Sequence, residues 1–143
     1  MFVLATLSNT RLHSIGKMIP SQRARILCVD DNAIILENIG TFLTQNGYRV
    51  DTARNGQSAL MKVSSSPYAF QLIITDLRMP GLDGFELITE VRAAGYIGPI
   101  IVYSGQMMPG DRQRLGALRV NHVLEKPTRN VEILGIVQQA LSE

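Results

Sequence analysis

The chain has 143 residues, 45% of them apolar, which is enough for one core and too little for two ordinary domains. Its 14 basic and 12 acidic residues are scattered, for a formal net charge of +2, and this excludes a polybasic face built for nucleic acid or anionic lipid. Cys28 is the only cysteine, so no intrachain disulfide or cysteine metal cluster is available, and a reducing cytoplasm is the expected compartment. No stretch approaches the roughly 20 apolar residues that span a bilayer, and no basic residues precede Met1-Phe2-Val3-Leu4-Ala5 as they would in a signal peptide. A soluble intracellular protein with no membrane partner is expected.

Residues 1–22 carry no sustained period and are expected to be a poorly ordered extension. From Arg25 onward, short apolar runs alternate with segments of helical period, the pattern of a parallel sheet with crossover helices. Ile26 to Val29 reads as a first buried strand. Ile35, Leu36, Ile39, Phe42 and Leu43 then recur at helical spacing until Asn46-Gly47 ends the helix. Tyr48 to Thr52 is a second strand, and Ala59, Leu60 and Val63 mark a helix that stops before Pro67. Phe70 to Thr75 is nearly all apolar, as a central parallel strand should be. A helix starting near Asp83 carries Phe85, Leu87, Ile88 and Val91 to Gly95, and Pro99 to Tyr103 makes a fourth strand. Pro109 and Gly110 open a weak helix that Gly116 interrupts, and its low apolar content makes it the candidate for mobility. Asn121 to Leu124 is a short fifth strand. Val131, Leu134, Val137 and Leu141 give the last helix an apolar face. The class is α/β, a doubly wound sheet of five strands with five helices.

In such a sheet, functional groups gather at the carboxyl ends of the strands, where loops converge on a ligand. Asp30-Asp31 ends the first strand, Asp76 the third and Ser104 the fourth, and Lys126 follows the fifth. Three converging carboxylates repel one another unless a cation joins them. An all-oxygen donor set selects Mg2+, or Mn2+, over zinc. Magnesium takes one or two carboxylates, several waters and phosphate oxygens, so the pattern points to phosphoryl chemistry rather than a structural metal cage. Lys126 adds a positive charge and Ser104 a hydroxyl donor for phosphoryl oxygens.

These residues resemble the receiver domains of two-component response regulators over about residues 23–143. The resemblance is carried by Asp30-Asp31, by Asp76-Leu77-Arg78-Met79-Pro80-Gly81-Leu82-Asp83-Gly84, by Ser104 after an apolar strand, and by Lys126-Pro127. The nine-residue segment is close to that family's D-x-x-M-P-x-x-D-G signature. The resemblance implies a flavodoxin-like strand order of 2-1-3-4-5. It also implies that Asp76 is the phosphoacceptor, becoming an aspartyl phosphate. Asp31 and Asp76 would bind magnesium directly, Asp30 through water, and the backbone carbonyl of Arg78 would complete the protein ligands. Lys126 would pair with the phosphoryl group, Ser104 would move to hydrogen-bond it, and Pro127 would follow a cis peptide bond. A chain of this kind phosphorylates itself from a phosphodonor and slowly dephosphorylates; it is not a turnover enzyme.

Four positions depart from the family pattern or tune it. Val123 stands where receivers commonly place the Tyr or Phe whose ring moves with the hydroxyl residue, and strand alternation points Tyr103 and His122 away from that place. Gly105 replaces the usual alanine. Arg78 and Gln106, two residues beyond the acceptor and the hydroxyl residue, are expected to alter the access of water to the phosphoryl group. Taken singly, Asp30-Asp31 would be read as a helix cap, Asp76 to Pro80 as a turn, and Lys126 as a solvated charge; in this order together they would not. Asp83 caps its helix and Gly84 serves that turn, Met107 and Met108 cover core or a partner, His13 and His122 lack ligand-like neighbours, and Cys28 is core.

A phosphatase or other hydrolase on a related sheet is the runner-up. It needs a general acid near its nucleophile, typically an aspartate two residues on, and Arg78 occupies that place. The expected partners are a sensor histidine kinase or a histidine phosphotransfer protein, and an unknown downstream protein met through the fourth and fifth helices and the strand between them. The sequence ends about one helix past Lys126, so no effector is expected, direct DNA binding is not expected, and the state is expected to be a monomer or a weak phosphorylation-dependent dimer.

Overall fold

In the computed structural model, residues 24–143 are described; the expected N-terminal extension, with His13, lies outside the described residues. Strands β1 (Arg25–Val29), β2 (Arg49–Ala53), β3 (Leu72–Thr75), β4 (Ile100–Ser104) and β5 (His122–Glu125) alternate with helices α1 (Ala33–Gln45), α2 (Gly56–Ser65), α3 (Gly84–Ala93), α4 (Asp111–Ala117) and α5 (Asn130–Leu141). All strands are parallel, in the order β2-β1-β3-β4-β5. This is the doubly wound arrangement that the alternation of periods and the family resemblance predicted.

Both faces of the sheet are covered, and strand alternation divides the core accordingly. Ile26, Cys28, Leu72, Ile74 and Ile101 face α1 and α5, where they meet Leu36, Ile39, Leu43, Ile133 and Val137. Leu27, Val29, Ile73, Ile100 and Val102 face α2, α3 and α4, packing on Ala59, Val63, Phe85, Ile88, Val91 and Leu115. Burial raises the Cys28 thiol pKa to about 12, with the Asp30 charge adding to it, as suits a core cysteine.

Local signals place the element ends. The Asn32 side chain accepts the Ile34 and Ile35 N–H groups to start α1, and Gly47 at φ 93° leaves it. Asp83 and Glu86 form a reciprocal capping box that starts α3. The third strand is shorter than its apolar run, because the ladder begins at the Ile26–Leu72 pair and Phe70 is buried ahead of it beneath the Arg25 guanidinium. The second, fourth and fifth strands each end one residue later than the apolar pattern predicts. Ser104 is therefore a strand residue, held opposite Glu125. Gly116 does not break α4, which runs seven residues and closes at Arg119 with φ 65°.

Arg25 on β1 donates through Nε and Nη2 to the two carboxylate oxygens of Asp51 on the edge strand β2, at 3.0 and 2.8 Å. That bidentate bond is the main reason the Asp51 pKa lies below the ordinary carboxyl value. A carboxyl with a depressed folded-state pKa contributes stability above its unfolded pKa and loses it as pH falls through the folded value. Asp51→Asn is expected to lower the urea midpoint at neutral pH, and the deficit to close as pH falls below about 4. A deficit that persists unchanged in acid would assign it to packing rather than charge.

Candidate functional site

The chain order makes β1 and β3 the point where the sheet reverses direction, since β2 lies on one side of them and β4 and β5 on the other. Loops leaving the carboxyl ends of β1 and β3 diverge there and open a crevice. Asp30 and Asp76 stand one residue beyond those strands, each tied to its neighbour: Asp30 N–H donates to the Ala53 carbonyl at 3.1 Å and Asp76 N–H to the Val29 carbonyl at 3.0 Å. Carboxylate oxygens of Asp30, Asp31 and Asp76 all lie within 4.8 Å of one another. Asp30 and Asp76 are 4% and 7% exposed, whereas Asp31 is exposed.

Lys126 reaches this cluster from the end of β5. Its Nζ donates to Asp30 Oδ2 at 2.8 Å and to Asp76 Oδ2 at 3.0 Å. Lys126 N–H donates to the Ser104 carbonyl at 2.9 Å, which ties its backbone to the end of β4; the Lys126–Pro127 peptide bond is cis. Burial opposes the ammonium charge, but the two carboxylates more than offset it, so the Lys126 pKa is raised. Burial also pushes Asp30 above the ordinary carboxyl value, against the pull of Lys126 and of the Asn32 N–H. One ammonium thus serves two buried carboxylates, and the donor set has the hard-oxygen character that suits Mg2+ or Mn2+.

Asp30 and Asp31 do not cap α1; Asn32 does. Asp30 Oδ1 accepts the Asn32 N–H at 2.9 Å and its other oxygen holds Lys126. Asp76 Oδ1 accepts the Leu77 N–H at 2.7 Å while Oδ2 meets Lys126. Ser104 is fully buried at the end of β4, and its Oγ accepts the Gln106 N–H at 3.3 Å. Its side chain is thus engaged by its own loop.

The model of the response regulator receiver domain matches residues 26–138. The chain belongs to that family. Among solved structures, the chemotaxis protein CheY4 of Vibrio cholerae superposes with a TM-score of 0.75 at 31% identity, covering 82% of this chain and 98% of that one. A receiver protein from Pseudomonas putida does so at 0.76 and 30%, covering 82% and 97%. Among curated relatives, the gliding motility regulatory protein of Myxococcus xanthus is 33% identical over 116 residues, which are 80% of this chain and 15% of that protein. The CpxR homolog of Haemophilus influenzae is 30% identical over 82% of this chain and 50% of its own length. The chain therefore spans half or less of these two relatives. Receiver domains are signalling modules of two-component systems, and none of the described helices is long and apolar enough to cross a membrane.

Within this receiver, Val123 packs with Met107 and Leu118 against the core of the α2–α3–α4 face. Tyr103 lies on the opposite face, yet its ring centre is 5.5 Å from Lys126 Nζ and its hydroxyl accepts the Thr128 N–H at 3.4 Å. Three relations were not foreseen in the sequence. Arg78 is bound to Asp111 on α4; nothing local distinguishes Asp111 from an ordinary acid in a first helical turn. His122 has a carboxylate neighbour after all, Glu143, at 2.6 Å. Gly84, read as turn chemistry alone, lies against the acceptor backbone: a Cβ there would sit 2.3 Å from the Asp76 carbonyl oxygen and 2.7 Å from Leu77 Cα. Its N–H donates to the Leu77 carbonyl at 2.8 Å, so α3 starts directly on the Asp76 loop. Gly84→Ala must displace backbone rather than a flexible side-chain tip, and a loss of about 1–3 kcal/mol in urea unfolding is expected; a wild-type midpoint would show that the loop yields freely.

Proposed function

We propose that this chain is a response regulator whose receiver, residues 23–143, accepts a phosphoryl group on Asp76 and passes the signal on by protein contact. The observation that carries this reading is the Lys126 ammonium held between Asp30 and Asp76, beside a third carboxylate. An incoming phosphoryl group needs a nucleophile, a counter-charge and a place for a divalent cation, and these residues supply all three at one strand-end crevice.

In the proposed reaction an Asp76 carboxylate oxygen attacks phosphorus and forms a P–O bond. The P–N bond of a phosphohistidine, or the P–O bond of a small acyl phosphate, breaks. Its electron pair leaves with the imidazole, which takes up a proton, or with the carboxylate product. Asp31, Asp76 and the Arg78 carbonyl would hold Mg2+ (or Mn2+) directly, and Asp30 would hold it through water; the bound ion offsets the charge gathered on the carboxylates and the phosphoryl oxygens. Lys126 turns its donors from Asp76 Oδ2 to the phosphoryl oxygens, and Ser104, whose Oγ accepts the Gln106 N–H, donates its hydroxyl hydrogen to them. Arg78 ahead of the crevice, engaged with Asp111, supplies no general acid, which favours a switch over a phosphatase. The donor is a sensor histidine kinase or a histidine phosphotransfer protein in the cytoplasm, and the output is an unknown downstream protein, reached by a monomer or a weak phosphorylation-dependent dimer without direct DNA contact.

Incubation with acetyl phosphate and magnesium, followed by intact-mass measurement, is expected to add one phosphoryl group to the wild type and none to Asp76→Asn. A chelator added before the donor is expected to abolish the gain. Equal labelling of Asp76→Asn, or labelling that survives metal removal, would count against the reading.

A further inference from the structure

Asp111 is the buried charged residue of a short helix whose other buried residue is Leu115: it is 7% exposed, while its neighbours Arg112, Gln113 and Arg114 face solvent. It begins α4, and one of its carboxylate oxygens takes two hydrogen bonds. Asp111 Oδ2 accepts from Arg78 Nη2 at 2.5 Å and from the Met108 N–H at 2.8 Å. The Met108 N–H, more than the Arg78 guanidinium, holds the carboxyl below its ordinary pKa. One carboxylate oxygen thus closes the β4–α4 loop on itself and ties it to the loop that carries Asp76.

Arg78 is placed for a second partner. It lies two residues beyond Asp76, its guanidinium carbon sits 5.6 Å from the Phe85 ring centre, and its Nε–H is buried without a protein acceptor among the described residues. A buried donor without an acceptor is costly and takes one when it is offered. Arg114 is stacked on the same Phe85 ring at 3.9 Å, so α4 meets α3 through two guanidiniums and one carboxylate. Val123 has no ring whose rotation could report the state of the site to α4.

We infer that Asp111 is a positioning residue that holds the Arg78 guanidinium away from the acceptor until Asp76 is phosphorylated. The phosphoryl oxygens then take Arg78 over, which releases residues 106–111 and the first turn of α4. The inference rests on the reading of Asp76 as phosphoacceptor. The driving force is charge: a dianionic phosphoryl group with three acceptor oxygens competes with a monoanionic carboxylate for one guanidinium. The shift is bounded by the difference between these two interactions.

The test combines hydrogen exchange over residues 106–117 with the initial rate of labelling by acetyl phosphate at saturating magnesium, read by intact mass, on the full chain. Asp111→Asn keeps an oxygen for the Met108 N–H and is expected to fold with a near wild-type melting temperature. In the unphosphorylated protein it is expected to raise exchange in this segment roughly fivefold, the effect of losing a part-exposed ion pair. It is also expected to speed labelling several-fold, because Arg78 is freed toward an anionic donor. The double variant Arg78→Ala/Asp111→Asn keeps the fast exchange and loses the gain in rate, and Asp111→Glu stays near wild type in both. Phosphorylated wild type is expected to show the fast exchange of Asp111→Asn. A rate gain that survives the loss of Arg78 overturns the inference, and so does unmoved exchange in wild type that carries the phosphoryl mass. If wild type gains no phosphoryl mass, the acceptor reading fails; wild-type exchange in Asp111→Asn would then overturn the tether as well.

Discussion

The Lys126 ammonium joins residues that are 96 and 50 positions away in the chain, Asp30 and Asp76. Two carboxylates as deeply buried as these repel each other and lose hydration, and only a shared cation makes their approach tolerable. The parallel register sets where the strand ends lie: β1 and β3 end level, Val29 pairing with Thr75, while β4 and β5 run two residues past the Val102–Val123 pair at that level, to the Ser104–Glu125 pair. Gly84, the Asn32 cap and the Ser104–Lys126 backbone bond each hold one member of this contact in place.

The same contact defines what the domain can sense. Lys126 is already bound to Asp76, so any group that arrives on Asp76 competes for an existing partner rather than entering an indifferent space. On the proposed reading its effect passes outward through side chains that are also already engaged: Ser104 with Gln106 on the β4–α4 loop, and Arg78 with Asp111 on α4. Both routes end on the same loop. The aromatic side chain that the family resemblance leads one to expect on β5 is replaced by Val123, packed against the core. The contacts that Ser104 and Arg78 make toward α4 are polar, a hydrogen bond and an ion pair.

The fold was largely legible because burial on both faces leaves a direct mark on composition. Strand β3 can be read as a central strand from Leu72-Ile73-Ile74-Thr75 alone, since each of its faces meets helices. Its start could not be read in the same way. Phe70 is as apolar as the strand and as buried, but it is covered by a guanidinium rather than paired in the ladder. Helix α4 shows the opposite case: Gly116 weakens the local signal, while a single fully buried residue, Leu115, anchors the helix to the core.

For the site, the sequence by itself determined which chemical groups are present and at which strand ends they fall, because strand periodicity and turn residues fix the ends of elements locally. From that it followed that Asp30, Asp31, Asp76, Ser104 and Lys126 share one edge of the sheet. The tertiary structure alone decided who touches whom: that Lys126 bridges Asp30 and Asp76, that Asn32 takes the capping role that would otherwise occupy the acidic pair, and that Arg78 is held by Asp111. Whereas the Asn32 cap is a local bond to Ile34 and Ile35, the Lys126 and Arg78 pairings join residues from 33 to 96 positions apart, and no local propensity encodes them. They depend on how far each loop carries a side chain across the crevice, and that distance exists only once the five strands are in register.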